Sequence, residues 1–194
     1  MDKSTIVRKN LTDSIELKQR LLSDDDIIKT ISRISEIIIE TYRKSGKVLF
    51  CGNGGSAADA QHLAAELSGR YYYDRPALFA EAMHVNTSYL TAVANDYSYD
   101  GVYKRLVSAV GTNGDILIGL STSGNSKNVI FALEQAKMQD MVTIGFTGYN
   151  GGEMKNYCDI LIEVPSNDTP RIQECHMIIG HTICELVEQE LFPK

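Results

Sequence analysis

The sequence contains no long hydrophobic run. No apolar stretch approaches the roughly 20 residues that a membrane-spanning helix requires. The first residues, MDKSTIVRKNLTDSIE, also lack the apolar core of a secretory signal peptide. We therefore expect a cytoplasmic protein that has no membrane as a partner.

An excess of positive charge is also absent. The chain carries 19 Lys and Arg against 25 Asp and Glu, which gives a formal net charge of −6. A nucleic-acid-binding surface needs a basic face, so this balance argues against nucleic acid as a partner. A small anionic ligand is still compatible with the composition, because a local site in an acidic protein can be rich in N–H donors.

Cysteine is scarce, and its spacing indicates no metal-binding or redox motif. The four cysteines lie at positions 51, 158, 175 and 184 and form no C-x-x-C pair. Cys175 and Cys184 fall in a helix-like segment, where cysteine usually behaves as a small hydrophobic residue. We expect four reduced thiols.

What the chain does contain is an alternation of strand and helix patterns. Its 194 residues, 43% of them hydrophobic, suit one sizeable core. Short runs that are apolar at both odd and even positions are typical of strands buried on both faces of a parallel sheet. We predict one α/β domain over residues 1–194, doubly wound around five parallel strands. The predicted strands are 48–51, 78–85, 115–121, 141–148 and 160–165, and the predicted helices between and after them are 57–69, 88–95, 102–110, 126–139, a short one near 151–158, and 170–191.

Two further helices precede this alternation, within residues 3–45 or so. Ser23 is the predicted N-cap of the second, which has three acidic residues in its first turn. Its isoleucines fall on one face, which lies outside the strand–helix alternation. We therefore predict that the opening helices pack against another subunit. The isoleucines concerned are those at 27, 28, 31, 34, 37 and 38.

The loop after the third predicted strand is unusually rich in hydroxyl groups. It reads STSGNS over residues 121–126 and leads directly into a helix. A helix N-terminus offers free N–H groups and the positive end of the helix dipole, which together with hydroxyl donors suit a phosphate. A simple N-cap is the alternative, but one hydroxyl is enough for a cap and this loop has four. We favour a phosphate site.

The loop after the first predicted strand is rich in glycine. Residues 52–56 read GNGGS and match the loose form of the dinucleotide-binding fingerprint. That fingerprint needs an acidic residue at the end of the second strand, where this chain has Val85-Asn86-Thr87. We therefore disfavour a dinucleotide and interpret the glycines as room for a ligand against the backbone.

Two helical segments carry candidate chemical groups. His62 and Glu66 are four residues apart and share one face of a helix that is otherwise rich in alanine. Gln173 and His181 lie on the last predicted helix, separated by a rise of about 12 Å, and Gly180 allows a close approach. These four residues would suit a divalent cation such as zinc. Spacing alone leaves open a surface pair for the first two residues and a core histidine for His181.

Several longer motifs make the sequence recognisable. It resembles the sugar isomerase (SIS) domain family, and more narrowly those members that isomerise sedoheptulose 7-phosphate, over residues 21–191. The resemblance implies a five-stranded parallel sheet flanked by helices, a flavodoxin-like three-layer sandwich, assembled as a homotetramer with active sites at subunit contacts. The motifs are CGNGGSAADAQHLAAELSGRY, NDY, GDILIGLSTSGNS, TGYNGGEM and RIQECHM followed by GHTI.

The resemblance also implies the reaction and the residues that carry it. The reaction would convert D-sedoheptulose 7-phosphate to D-glycero-D-manno-heptose 7-phosphate through an enediol, for bacterial lipopolysaccharide or capsule. Glu66 would be the catalytic base and His181 its partner, near one zinc ion per subunit. The zinc ligands would be His62, Glu66, Gln173 and His181, and the substrate contacts would be Asn53, Gly54, Gly55, Ser56, Glu66, Asn95, Asp96, Ser121, Thr122, Ser123, Ser126 and Gln173.

The main alternative within the same family is a non-catalytic tetramer that binds the bacterial replication initiator protein. In that relative, the positions that match Glu66 and His181 are not Glu and His, so this chain resembles the enzyme more. Two departures from the enzyme pattern, Glu81 in the second strand and Thr169-Pro170 before the last helix, bring local substrate contacts into question.

Overall fold

The computed structural model describes residues 2–194, which form a parallel sheet with helices on both faces. The five strands lie in the order β2-β1-β3-β4-β5, and all neighbours are parallel. This is the flavodoxin-like order, so the predicted five-stranded doubly wound fold is confirmed. The strands are β1 (Val48–Gly52), β2 (Ala80–Ala82), β3 (Ile116–Ser121), β4 (Val142–Thr147) and β5 (Ile160–Glu163).

The helices cover the two faces of the sheet as separate layers. One hydrophobic cluster joins α1, α2, α3 and α7 to one face, and a second joins α4, α5 and α6 to the other. Every residue of β1 and β3 is buried, which explains why their sequences are apolar at every position before Ser121, the last residue of β3. The helices are α1 (Lys3–Leu22), α2 (Asp25–Arg43), α3 (Gly55–Ser68), α4 (Thr87–Asp96), α5 (Val102–Val110), α6 (Lys127–Met138) and α7 (Thr169–Leu191), with short 3₁₀ turns at Tyr99–Gly101 and Gly152–Asn156.

The junction of the first two helices differs from the prediction. The N-cap of α2 is Asp24, whose carboxylate accepts from the backbone N–H groups of Asp26 at 3.0 Å and Ile27 at 3.1 Å. Ser23 lies at the C-terminal end of α1 and donates its hydroxyl to Gln19 O. The prediction of Ser23 as N-cap was wrong because α1 continues through Leu22 and leaves Asp24 as the first residue free to cap.

The isoleucine face of α2 is partly buried within this chain. Ile34 and Ile38 are fully buried, and α2 packs against α7 and β5. Ile31 is also buried, whereas Ile28 is 44% exposed, so packing of the opening helices against another subunit stays a prediction. Further exposed apolar residues lie on α1, at Ile6, Val7, Leu11 and Ile15.

The second strand is much shorter than the predicted 78–85. β2 contains three residues and is the sheet edge, so it pairs with β1 alone, over Val48–Phe50. Glu81 lies in this short strand, opposite Leu49, and is exposed. Its carboxylate therefore stays hydrated and imposes no desolvation penalty on the core.

Other expectations from composition can be checked directly. The four cysteines are free thiols, as predicted. Pro170 lies in the first turn of α7, where its missing N–H removes no helical hydrogen bond. Among residues 2–194, no helix combines the length and apolar character that crossing a bilayer would require.

Candidate active site

The glycine-rich loop and the hydroxyl-rich loop meet at one edge of the sheet. β1 ends at Gly52 and β3 ends at Ser121, and these two strands are neighbours. Because parallel strands place their carboxyl ends at the same edge, the loops that follow them lie side by side. α3 begins directly after the first loop and α6 directly after the second.

The glycine-rich loop is shaped mainly by contacts within the protein. Gly54 has a φ of +56°, which favours glycine, and a Cβ there would face open space. A Cβ on Gly52 would lie 2.6 Å from Ser56 O, and one on Gly55 would lie 2.3 Å from Gln173 Nε2. We predicted that these glycines leave space for a ligand. That space is occupied by protein atoms at Gly52 and Gly55, and it is open at Gly54.

Asn53 is held by a pair of reciprocal amide hydrogen bonds that the sequence did not indicate. Asn53 Nδ2 donates to Asn128 Oδ1, and Asn128 Nδ2 donates to Asn53 Oδ1, both at 2.8 Å. Tyr99 donates its hydroxyl to the same Asn53 oxygen at 3.0 Å. Asn128 is buried in the first turn of α6, so this pair ties the glycine-rich loop to the helix that follows the hydroxyl-rich loop.

The hydroxyls of the second loop converge on one another. Ser121 Oγ lies 2.9 Å from Ser126 Oγ and 3.4 Å from Ser123 Oγ. Ser126 is the N-cap residue of α6, yet its hydroxyl makes no capping hydrogen bond. The alternative of a simple N-cap therefore does not explain these hydroxyls, and their arrangement suits an anion at the helix N-terminus.

A polar cavity of about 370 Å³ adjoins this loop. Thr122 and Ser123 line one side of it, and Tyr149 and Asn167 line another. The cavity thus extends from the hydroxyl-rich loop across the carboxyl edge of the sheet to the segment before α7.

His62, Glu66 and His181 form a compact cluster, contributed by two helices. His62 Nε2 lies 3.0 Å from Glu66 Oε1 and 3.4 Å from His181 Nε2. One candidate ligand atom from each residue lies within 4.8 Å of the other two. Two imidazole nitrogens and a carboxylate at this spacing are a donor set that can hold a divalent cation.

Close packing of α3 on α7 brings the three groups together. A Cβ on Gly180 would lie 2.5 Å from Leu63 Cδ2, so glycine at this position is what lets the Leu63 side chain pack against α7. Leu63 follows His62, and Gly180 precedes His181. The close approach predicted at Gly180 is therefore confirmed, and neither His62 nor Glu66 belongs to an isolated surface pair.

The cluster lies between solvent and the core. The side chains of His62 and Glu66 are 50% and 23% exposed, respectively. Burial lowers the pKa of His181, the neighbouring His62 lowers it further, and Glu66 opposes both effects. His181 is therefore predominantly neutral near pH 7, which is the form that ligates a metal or accepts a proton.

Three other predicted site residues lie close to the glycine-rich loop or on the segment that reaches it. Gln173 lies two turns before His181 on α7, and its amide packs against Gly55 at the start of α3. Asn95 and Asp96 are exposed at the end of α4 and bond to each other at 2.9 Å. Tyr99, three residues after Asp96, reaches Asn53, so this segment lies beside the glycine-rich loop.

Asp59 is a further acidic group near the cluster, and it is not among the residues predicted from the sequence. Its Oδ2 atom is buried and has no hydrogen-bond partner. Burial raises the pKa of Asp59 to about 6, against the opposing effect of His62. The i, i+3 spacing to His62 was the available signal for this residue.

Comparison with known proteins gives consistent relationships. A family model described as SIS domain matches residues 14–148. The phosphoheptose isomerase of Clostridium acetobutylicum is 53% identical over 96% of this chain and 95% of its own length. Phosphoheptose isomerase 2 of Campylobacter jejuni is 48% identical over 98% of this chain and 95% of its own length.

Solved structures agree with these sequence relationships. A phosphoheptose isomerase from Neisseria gonorrhoeae superposes with a TM-score of 0.91 at 39% identity, and one from Francisella tularensis with 0.94 at 32% identity. In both comparisons, 97% of this chain and 100% of the other chain are covered. The chain therefore belongs to the SIS domain family and, within it, to the phosphoheptose isomerases.

Proposed function

We propose that this chain converts D-sedoheptulose 7-phosphate to D-glycero-D-manno-heptose 7-phosphate, for the heptose of a bacterial lipopolysaccharide or capsule. The observation that carries this proposal is the cluster of His62, Glu66 and His181 on α3 and α7. The hydroxyl-rich loop at the carboxyl edge of the sheet supports it, because the substrate carries a phosphate at one end.

Glu66 is the base in this proposal. Aldose–ketose isomerisation moves a proton between two adjacent carbons through an enediol, so one group must reach both carbons. The Glu66 side chain is mostly buried but not sealed from solvent, which leaves it reachable by a substrate. General-base catalysis by a positioned carboxylate contributes about 10²–10⁴-fold to the rate.

His181 is the partner that handles protons on the substrate oxygens. Its lowered pKa keeps the imidazole predominantly neutral near pH 7, so it can accept a proton at one nitrogen and donate one from the other. A glutamate base with a neutral histidine beside an enediol is the combination that triosephosphate isomerase uses.

One zinc ion per subunit fits the same cluster. His62, Glu66 and His181 supply the donor types that zinc prefers, and Gln173 on the same face of α7 would complete the set. A bound zinc ion polarises a carbonyl and stabilises charge on its oxygen. The protein's own contribution is to hold these side chains, and the substrate, in one geometry.

The substrate's phosphate binds the hydroxyl-rich loop, through Ser121, Thr122, Ser123 and Ser126. Holding the far end of the sugar lets binding energy position the reacting carbons at Glu66. The remaining sugar contacts come from the glycine-rich loop and from the end of α4. These residues are Asn53, Gly54, Gly55, Ser56, Asn95, Asp96 and Gln173.

The proposed assembly is a homotetramer in the cytoplasm. The exposed apolar residues of α1 support packing against other subunits, because residues of this type are seldom left in water in such a continuous set. Light scattering during size-exclusion chromatography tests the assembly, and a monomer at micromolar concentration would overturn it.

The reaction is tested by incubating the pure protein with sedoheptulose 7-phosphate in heavy water, with and without a chelator. We expect an aldoheptose phosphate by NMR, with deuterium incorporated next to the carbonyl, and a loss of both signals after zinc removal. No exchange with zinc supplied would reject the enzyme and favour a non-catalytic family member.

A further inference from the structure

A buried ion pair joins α7 to the segment that follows α3. Arg75 Nε lies 3.1 Å from Glu188 Oε1, and the two side chains are 2% and 1% exposed. A charge pair that is this deeply buried is costly to desolvate and is retained where its geometry is needed. Glu188 lies two turns after His181 on α7, and Arg75 follows α3 by seven residues.

The guanidinium of Arg75 binds the end of α3. Its Nη2 donates to Glu66 O and its Nη1 donates to Leu67 O, both at 2.8 Å. The last carbonyls of a helix have no partner within the helix, so Arg75 supplies the missing donors. One of the two carbonyls belongs to Glu66 itself, the proposed base.

Glu188 holds the other side of the same arrangement. Its carboxylate accepts from Tyr71 N at 2.8 Å and from Tyr72 N at 2.7 Å, in addition to Arg75. The ring of Tyr71 then lies 5.7 Å from the ring of His181, centroid to centroid. Burial would raise the pKa of Glu188, but these hydrogen bonds outweigh it and hold the pKa below its usual value, so the carboxylate stays ionised.

We propose that Arg75 and Glu188 are positioning residues for the isomerase reaction. Arg75 fixes the backbone of Glu66 at the end of α3, while Glu188 fixes Arg75 and the Tyr71 segment on α7. Together with the contact of Leu63 at Gly180, the pair sets how α3 lies on α7. It therefore sets the distance from Glu66 to His181, although neither Arg75 nor Glu188 touches the reacting atoms.

This inference rests on the proposed roles of Glu66 and His181. It makes a specific claim beyond them, because a pair that only stabilised the fold would leave the turnover number of the folded protein unchanged. A group that positions metal ligands or catalytic side chains instead changes activity or metal affinity by about 10–100-fold.

The test uses two variants of the full chain. Arg75→Lys keeps the positive charge opposite Glu188 but cannot reproduce the fork of N–H donors to two carbonyls. Glu188→Gln keeps the size and one acceptor oxygen but removes the charge. The matched control is Asp115→Asn, which breaks the ion pair of this buried carboxylate with the partly buried Lys47, beside the first residues of β1 and β3, at the opposite edge of the sheet.

All proteins are assayed well below their melting temperatures, with near-UV circular dichroism as the check on folding. We expect kcat to fall about 10–100-fold in Arg75→Lys and Glu188→Gln, KM for sedoheptulose 7-phosphate to change by less than about threefold, and zinc retention during dialysis to fall. Asp115→Asn should lower the melting temperature and leave kcat and zinc unchanged. Arg75→Lys is the conservative variant that decides the question if Glu188→Gln does not fold.

The outcomes separate this inference from the proposed function. Normal kcat and zinc retention in folded Arg75→Lys, with Glu66→Gln inactive, would overturn the positioning role alone. A loss of kcat in Asp115→Asn that matches its loss of stability would also overturn it, because activity would then follow stability in general. Absence of proton exchange in the unaltered protein would instead reject the proposed function.

Discussion

The two edges of the sheet both carry polar groups, but they use them differently. At the amino edge, Asp115 lies directly before β3 and accepts from Lys47 N at 3.0 Å and Thr112 N at 2.8 Å. Asp159, directly before β5, accepts from the backbone N–H and the hydroxyl of Thr143 at 2.9 and 2.8 Å. Both carboxylates therefore receive several hydrogen bonds from neighbouring parts of the same chain.

At the carboxyl edge, and on α3, which begins there, several polar groups have unused hydrogen-bonding capacity. Within residues 2–194, the Glu66 carboxylate has one hydrogen-bond partner, His62, and buried Asp59 Oδ2 has none. The hydroxyls of Ser121 and Ser126 pair with each other rather than with the helix they precede. This is the edge at which ligands bind in parallel α/β sheets.

The pKa directions follow the same division. Burial alone would raise the pKa of Asp115, but hydrogen bonds from Lys47 and Thr112 outweigh it and hold the pKa below its usual value. Burial raises the pKa of Asp59, where the opposing His62 does not compensate. A carboxylate that the protein fully satisfies stabilises the fold, whereas one left short of partners is available for chemistry.

The largest effect is expected from Glu66→Gln. Glutamine keeps the size of the side chain but cannot take a proton, so kcat should fall by about 10²–10⁴-fold. Deuterium exchange into the substrate measures the effect, and zinc per subunit separates lost proton transfer from lost metal. The control is Glu134→Gln, a half-buried glutamate that pairs with Lys104 far along α6 from its N-terminus. Near-normal exchange in Glu66→Gln would return Glu66 to a structural role.

His181→Gln should be nearly as severe. We expect a loss of about 10²-fold or more in kcat, because the neutral imidazole that handles protons at the substrate oxygens is gone. Zinc content and substrate binding by calorimetry are measured on the same preparation. A variant that loses zinc and recovers full activity when excess zinc is added would show that His181 acts only as a ligand.

The hydroxyl-rich loop should affect binding rather than turnover. Replacing Ser123 and Ser126 with alanine removes two hydrogen bonds to a charged group, and we expect KM to rise about 10–100-fold with kcat changed far less. Ser108→Ala, on the exposed side of α5, is the control. Unchanged affinity for sedoheptulose 7-phosphate by calorimetry would place the phosphate elsewhere.

A substitution at the amino edge should lower the stability of the fold without changing catalysis. Asp115→Asn should lower the free energy of unfolding at pH 7 by about 1–3 kcal/mol. Because the folded-state pKa of Asp115 lies below the unfolded value, its contribution is complete above about pH 4–5 and is lost as pH falls through the folded-state pKa. Urea unfolding at pH 7, 5 and 3 should therefore show the two proteins converging on acidification. A difference that does not shrink between pH 5 and pH 3 would contradict this account.

The expected N-cap of α2 was wrong because neighbouring segments competed for the same residues. Ser23 has the chemistry of an N-cap, but α1 extends through Leu22 and Asp24 caps α2. The isoleucines of α2 form one apolar face, but periodicity does not say which surface covers that face. α7, more than 120 residues later, packs against part of it within the same chain, and the packing of the opening helices on another subunit stays a prediction.

The hydroxyl-rich loop and the five-stranded parallel sheet were determined by the sequence itself. A run such as residues 116–120 is apolar throughout because both faces are buried, and a loop of six consecutive residues brings its own hydroxyls together. The cluster of His62, Glu66 and His181 was decided by the tertiary structure, since His62 and His181 are 119 positions apart. Their distance depends on how α3 packs on α7, and side-chain spacing along a single helix cannot specify that packing. For the same reason the pairing of Asn53 with Asn128 and of Arg75 with Glu188 became visible only once the helices were in place.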